Sequence, residues 1–181
     1  MFEQAPLGLA TLAVSALAMT PFPLFAQSAD DAASTLETLL SGEVRNEYRS
    51  ADYRLVVDGC TLTLTEESHD DGATDTYVAS VSAKELRLDQ SQLNYSERQI
   101  FVPASEASGV RVSMTKTNPS PREKNTYMQL HSGATCDDQM CHAEFVASHF
   151  DLVIRGDWDI TYLNQAFEAL LQLATTCSED T

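Results

Sequence analysis

Basic residues are scarce in this sequence: 11 Lys and Arg stand against 27 Asp and Glu, a formal net charge of −16 over 181 residues. A surface of that sign repels phosphate, which disfavours nucleic acid and anionic membranes as partners at the level of the long-range field. The chain also lacks an apolar run of the ~20 residues that a bilayer-spanning helix needs; its longest, Leu7–Met19, is shorter. Internal repeats and low-complexity blocks are absent. No Gly-x-Ser-x-Gly elbow or other nucleophile signature accompanies His69, His131, His142 and His149. Adjacent His131 and Ser132 make no dyad, because neighbours in a strand point to opposite faces. No catalytic residue is therefore assigned, and the chain reads as a binding protein rather than an enzyme.

What is present begins with a leader. The apolar run ends at Pro21 and Pro23, and Leu24-Phe25-Ala26 then offers a small-residue cleavage site before Gln27. Residues 1–26 read as a signal peptide and 27–181 as a single exported β-rich domain, periplasmic or secreted, with no membrane span once the leader is removed. The basic flank usual in such leaders is missing, since Met1–Pro6 carries only Glu3 as a charge. No Cys lies beside the cleavage site to take a lipid anchor.

The four cysteines, Cys60, Cys136, Cys141 and Cys177, all fall in the mature part. An even count behind an export signal implies two disulfides, for which three pairings exist. Cys136 with Cys141, flanking a short polar loop, and Cys60 with Cys177, tying an early strand to the last helix, are the favoured ones. Cys136-Asp-Asp-Gln-Met-Cys141-His142 lacks the spacing of a structural zinc, haem or thiol–disulfide catalyst. Asp70, Asp71 and Asp75 around Gly72 do not match the EF-hand loop and read as a solvated acidic turn. No metal and no cofactor is assigned.

Along the mature chain, Gln27–Ala33 reads as a linker. Ser34-Thr35-Leu36-Glu37 has capping-box spacing for a short helix bearing Leu36, Leu39 and Leu40 and ending near Ser41-Gly42. From Tyr53 the apolar period becomes two, with a hairpin at Asp58-Gly59. Glu66–Asp75 reads as a turn-rich acidic loop. Strands are expected around Tyr77–Val81 (extending through Leu86 and Leu88), Ile100–Val102 and Val110–Met114. Asn118–Asn125, with Pro119 and Pro121, reads as a surface loop, and Tyr127–His131 and Ala143–Ile154 as the last strands. Asp157–Cys177 closes the chain as an amphipathic helix capped by Asp157 or Asp159. Its apolar face is Ile160, Leu163, Phe167, Leu170, Leu171 and Ala174, opposite Asn164, Gln165, Glu168 and Gln172. Arg155-Gly156-Asp157 is explained by the turn and cap, and Asn94-Tyr95-Ser96 is a glycosylation sequon.

The expected class is α+β, mostly β: an antiparallel meander or barrel of about seven strands, with a short N-terminal helix and a C-terminal amphipathic helix packed on it. That order, with Trp158 beside the closing helix, resembles the pleckstrin-homology-like superfold over Tyr53–Cys177. The resemblance implies peptide or phosphoinositide ligands. The Asp58-Gly59 loop lacks the Lys or Arg that phosphoinositides require, so only the fold is carried over. A lipocalin-like barrel is the alternative, although its Gly-x-Trp signature is missing. The expected function is an exported non-catalytic binding or interaction module whose ligand the sequence does not name, a protein or a small apolar molecule. The alternative is a carrier of a small apolar ligand between sheet and helix, lined by Phe145, Phe150, Ile160, Leu163 and Phe167.

Overall fold

The computed structural model describes residues 28–45, 50–70, 72–105, 108–154 and 159–179. The leader, Arg155–Asp157 and Trp158 lie outside them. The first element is helix α1, Ala29–Leu40, which starts earlier than the sequence suggests. Ser28, not Ser34, is the N-cap: its hydroxyl accepts from Asp31 N–H at 3.1 Å, and the Asp31 carboxylate accepts from Ser28 N–H at 3.2 Å. The stretch expected as a linker is thus mostly helical, because Ala32 completes a buried row with Leu36 and Leu40.

Strands β1 (Gly42–Arg45), β2 (Ser50–Asp58), β3 (Thr61–Asp70) and β4 (Ala73–Ser82) form an antiparallel meander. The hairpin is where the period-two pattern places it, though Asp58 pairs with Thr61 and the loop residues are Gly59 and Cys60. Gly59 has φ +55°, which a side chain would disfavour. The expected acidic loop, by contrast, is strand through almost its whole length, with β3 running to Asp70 and β4 starting at Ala73. Its alternation is hidden because the inward positions at this end are themselves polar, Glu66, Ser68 and Asp75.

Two 3-10 turns follow, Ala83–Glu85 and Leu88–Gln90, where strand had been expected; Leu86 between them makes one bridge to Ala104. Strands β5 (Gln92–Asn94), β6 (Gln99–Pro103) and β7 (Val110–Thr117) come next. The segment expected as a loop and a strand is instead helix α2, Pro121–Leu130. Pro121 is no obstacle, since the first helical N–H has no partner to lose. Ser120 N–H donates to the Glu123 carboxylate at 2.7 Å, and the Ser120 hydroxyl accepts from Glu123 N–H at 3.4 Å.

After α2 come β8 (Thr135–Cys136), β9 (Met140–Ala147) and β10 (His149–Val153), so Ala143–Ile154 breaks at Ser148 and its halves join different sheets. The larger sheet has seven strands in the order β1-β2-β3-β4-β7-β9-β8; the smaller is β10-β6-β5. The fold is mostly β and antiparallel, flanked by a short N-terminal and a longer C-terminal helix. Gly109, just before β7, is held by close approach, because a Cβ there would meet Val146 Cγ1 at 2.2 Å.

The last helix, α3, spans Ile160–Glu179 and packs beside α1, the first 3-10 turn and β6. Asp159 caps it, accepting from Thr161 N–H at 2.8 Å. Its buried residues are Leu163, Ala166, Ala169, Leu170, Leu173, Ala174 and Cys177, while Ile160 (55 % exposed) and Leu171 (39 %) face outward. The inward face is therefore rotated from the one expected, and alanines let the helix come close to its neighbours. It joins Leu55, Leu62, Val81, Val110, Ile100, Phe150 and Leu152 in one core. Among the described residues no helix is long and apolar enough to cross a membrane.

The disulfides are Cys60–Cys177 and Cys136–Cys141. The second joins directly paired residues of β8 and β9.

Candidate functional site

Register fixes which side chains of the large sheet face inward. Tyr53, Glu66, Tyr77, Met114 and Ala143 are successive partners across β2, β3, β4, β7 and β9 and share one face. Where α1 and α3 cover that face it is apolar. Towards the β3–β4 turn it becomes polar, and there α2 lies over it. Tyr127 anchors α2, packing with Cys141 and Ala143 against Met114, Ala134 and Cys136.

Between α2 and the sheet remains a cleft of about 630 Å³. Glu66, Ser68, Asp75, Tyr77, Met114 and Lys116 line it from the sheet; Arg122, Glu123, Thr126, Tyr127, Leu130 and His131 line it from the helix side. Lys116 Nζ donates to both oxygens of Asp75, at 3.1 and 3.0 Å, and lies 3.1 Å from Glu123 Oε1. The Lys116 side chain is only 13 % exposed. Burial pulls its pKa down, but the hydrogen bonds to Asp75 and Glu123 together outweigh that, and it lies above the ordinary ammonium value. Glu123 is held down at about 2, first by the Ser120 side chain, then by the Ser120 N–H and by Lys116. Asp75, read from sequence as part of a solvated turn, is thus one leg of an ion-pair bridge tying α2 to β4 and β7.

Tyr127 is 8 % exposed, and its hydroxyl has no hydrogen-bond partner among the described residues. Burial raises the phenol pKa, nearby Asp75 raises it further, and Lys116 opposes both. His131 is the C-cap of α2; its ring lies 4.8 Å from Tyr127 and stacks on Phe145 at 5.9 Å. A smaller cavity of about 240 Å³ shares Glu66 and Tyr77 with the cleft and reaches Tyr53, Gln99 and Asp151. Tyr53 donates to Glu66 at 3.1 Å. Asp151 has one buried oxygen without a partner among the described residues, and its pKa is raised by burial although His149 opposes the shift.

Of the five residues expected to line a carrier pocket, Phe150, Leu163 and Phe167 meet in the filled core, and Ile160 and Phe145 lie apart from them. Phe150 (1 % exposed) and Leu163 (0 %) are core, Phe167 is half-buried against that core, and Ile160 is exposed. Phe145 lies beside His131 and also lines a shallow outer groove with Val78, Ser80 and Arg111. Sequence reasoning missed the cleft because it missed α2; Ser120-Pro121-Arg122-Glu123, a capping box with Pro at the first position, was the available signal.

The one amine of the lining, Lys116, is held by the two carboxylates of Asp75 and Glu123. Among the described residues no cluster of His, Cys, Asp or Glu is arranged to hold a metal ion. No protein-family model, curated protein or solved structure matches this chain.

Proposed function

We propose that this chain is an exported, non-catalytic binding module that takes its ligand in the cleft between α2 and the inner face of the sheet. Export is supported by the apolar leader run and by two disulfides, which persist in oxidising compartments. Likening the fold to pleckstrin-homology-like domains is supported by the antiparallel sheet followed by one closing helix; α1 and α2 are additions to that order.

The observation that carries the binding reading is the unpaired, buried hydroxyl of Tyr127 at the wall of a cleft large enough for a small organic molecule. Buried polar groups are normally paired, and a ligand that reaches this hydroxyl would supply the missing partner. Met114, Tyr77 and the Tyr127 ring would contact its apolar body, with Ser68 and Glu66 at the polar end.

Native mass spectrometry of protein purified from its own host tests this. The expected result is a retained small molecule that is lost or much reduced in Tyr127→Phe. Protein at its apo mass, combined with a fragment screen by NMR that moves no resonance of Met114, Tyr127 or His131, would reject the cleft as a ligand site.

A further inference from the structure

The seven-stranded sheet treats its two edges differently. At the β1 side, β1 pairs only with Ser50–Tyr53 of β2. Beyond it, α1 and its cap supply side chains to the β2 backbone: Ser41 Oγ accepts from Leu55 N–H at 2.9 Å and Glu37 Oε1 from Val57 N–H at 2.8 Å. β1 itself carries Glu43 and Arg45 paired with each other, the charged dressing that discourages further strand addition.

Among the described residues the β9 side has no such cover. β8 pairs with β9 only at Cys141 and His142. The backbone alternation of β9 follows from bonds at its ends. Gln139 C=O accepts from Asn118 N–H on the β7 side, whereas Met140 C=O accepts from Asp137 N–H on the β8 side. Even-numbered residues therefore turn their N–H and C=O away from β7, and at the far end Ser148 C=O is taken by Ala104 N–H at 2.9 Å. Between those ends, Glu144 and Val146 direct two N–H and two C=O groups into an open lane, with no backbone partner among the described residues. The open stretch, residues 143–147, is about 17 Å long at ~3.4 Å per residue. Two of its side chains are large, apolar and exposed for an edge: Phe145 is 37 % and Val146 66 % exposed.

We propose that this open stretch of β9 docks an extended, cationic peptide segment of a partner protein as an added antiparallel strand. Charge selects the occupant. The only ionisable side chain in the stretch is Glu144, which is 74 % exposed although it lies 3.4 Å from His142 Nε2, on a chain of net charge −16. A second copy would bring the same negative field to the interface, whereas a Lys or Arg opposite Glu144 is attracted both locally and at long range. An apolar residue opposite Phe145 would also meet His131, which is already stacked there. The site adjoins the cleft at His131 and does not depend on the cleft holding a ligand.

The test uses the full, disulfide-intact chain labelled with ¹⁵N and the probe acetyl-Lys-Val-Lys-Val-Lys-Val-amide, with the Glu-for-Lys peptide as counterpart. The Lys peptide should slow amide exchange at Glu144 and Val146 and bind at least tenfold more tightly than the Glu peptide. Val146→Pro removes an N–H that serves no ladder bond, so the fold should persist while binding falls at least tenfold. Glu144→Lys, which leaves the backbone untouched, should reverse the order of the two peptides. The proposal is overturned if the Lys peptide leaves those amides unaffected, if its footprint falls on the α2 cleft, or if folded Val146→Pro binds undiminished. It is equally overturned if sedimentation finds a dimer that Val146→Pro dissolves, since the edge would then belong to a second copy.

Discussion

Cys60 and Cys177, 117 residues apart in sequence, are joined by a disulfide that fastens the turn between β2 and β3 to the last turns of α3. In the chain-entropy treatment, closing so long a loop is worth about 5 kcal/mol, whereas the short loop between Cys136 and Cys141 is worth about 2 kcal/mol. The two bridges therefore differ in purpose as well as in place: the first holds the closing helix on the core, the second fixes the strand pair under α2.

Denaturant unfolding of the two double-alanine variants should separate them. Replacing Cys60 and Cys177 should remove about twice the stability lost on replacing Cys136 and Cys141, while only the latter should disturb the resonances of Tyr127 and Lys116. Equal losses would mean that the long bridge does not constrain the unfolded chain as supposed.

The helix face gives the second prediction. Leu170 is fully buried and Phe167 is not, so Leu170→Ala should cost about 3–4 kcal/mol, the usual range for a filled core site, and Phe167→Ala less. Leu171→Ala and Ile160→Ala should fall within about 0.5 kcal/mol of wild type, because both side chains are exposed. Urea midpoints for the four variants decide it; losses at Leu171 and Ile160 as large as that at Leu170 would put the inward face where the sequence pattern alone put it.

That difference shows what the sequence could and could not convey. The class, the disulfide pairing and the long terminal helix were legible because each rests on local periodicity or on cysteine arithmetic. The phase of α3 was not, since Ala166 and Ala169 are weak apolar signals and only the close approach of α1 makes them interior. β3 and β4 were lost beyond Thr65 for a related reason: Glu66, Ser68 and Asp75 face a cleft, so period two carries no hydrophobic contrast there. The same polar stretch is half of the candidate site, and α2, hidden behind Pro119 and Pro121, is the other half.

A third prediction follows from Glu123, whose pKa is lowered from 4.5 to about 2. A carboxyl depressed in the folded state stabilises it above the unfolded pKa, and that contribution fades as pH falls from about 4.5 towards 2. Glu123→Gln should therefore be less stable than wild type at pH 7, with the gap closing in acid. Thermal melts at pH 7 and pH 2.5 would show it. A gap that widened in acid would contradict the Ser120 and Lys116 interactions as its source. Lys116→Met should behave more severely at neutral pH, because it leaves Asp75 and Glu123 facing each other without their shared cation; acid should again relieve it.

Tyr127 supplies the last prediction. Its ring anchors α2 on Met114, Cys141 and Ala143, but its hydroxyl is buried without a partner. An unpaired buried hydroxyl costs folding about 1–3 kcal/mol. Tyr127→Phe keeps the ring and removes the cost, so the ligand-free variant should be at least as stable as wild type, by up to about 1 kcal/mol, while Tyr127→Ala should lose several. Alkali adds a check. The phenol pKa is raised by burial, so above pH 10 the unfolded chain releases its proton first and stability falls; Tyr127→Phe should lessen that fall without abolishing it, because Tyr77 is raised by burial as well. If instead the Phe variant is clearly less stable at pH 8, the hydroxyl has found a partner, and the unpaired group on which the cleft is read as a ligand site is not there.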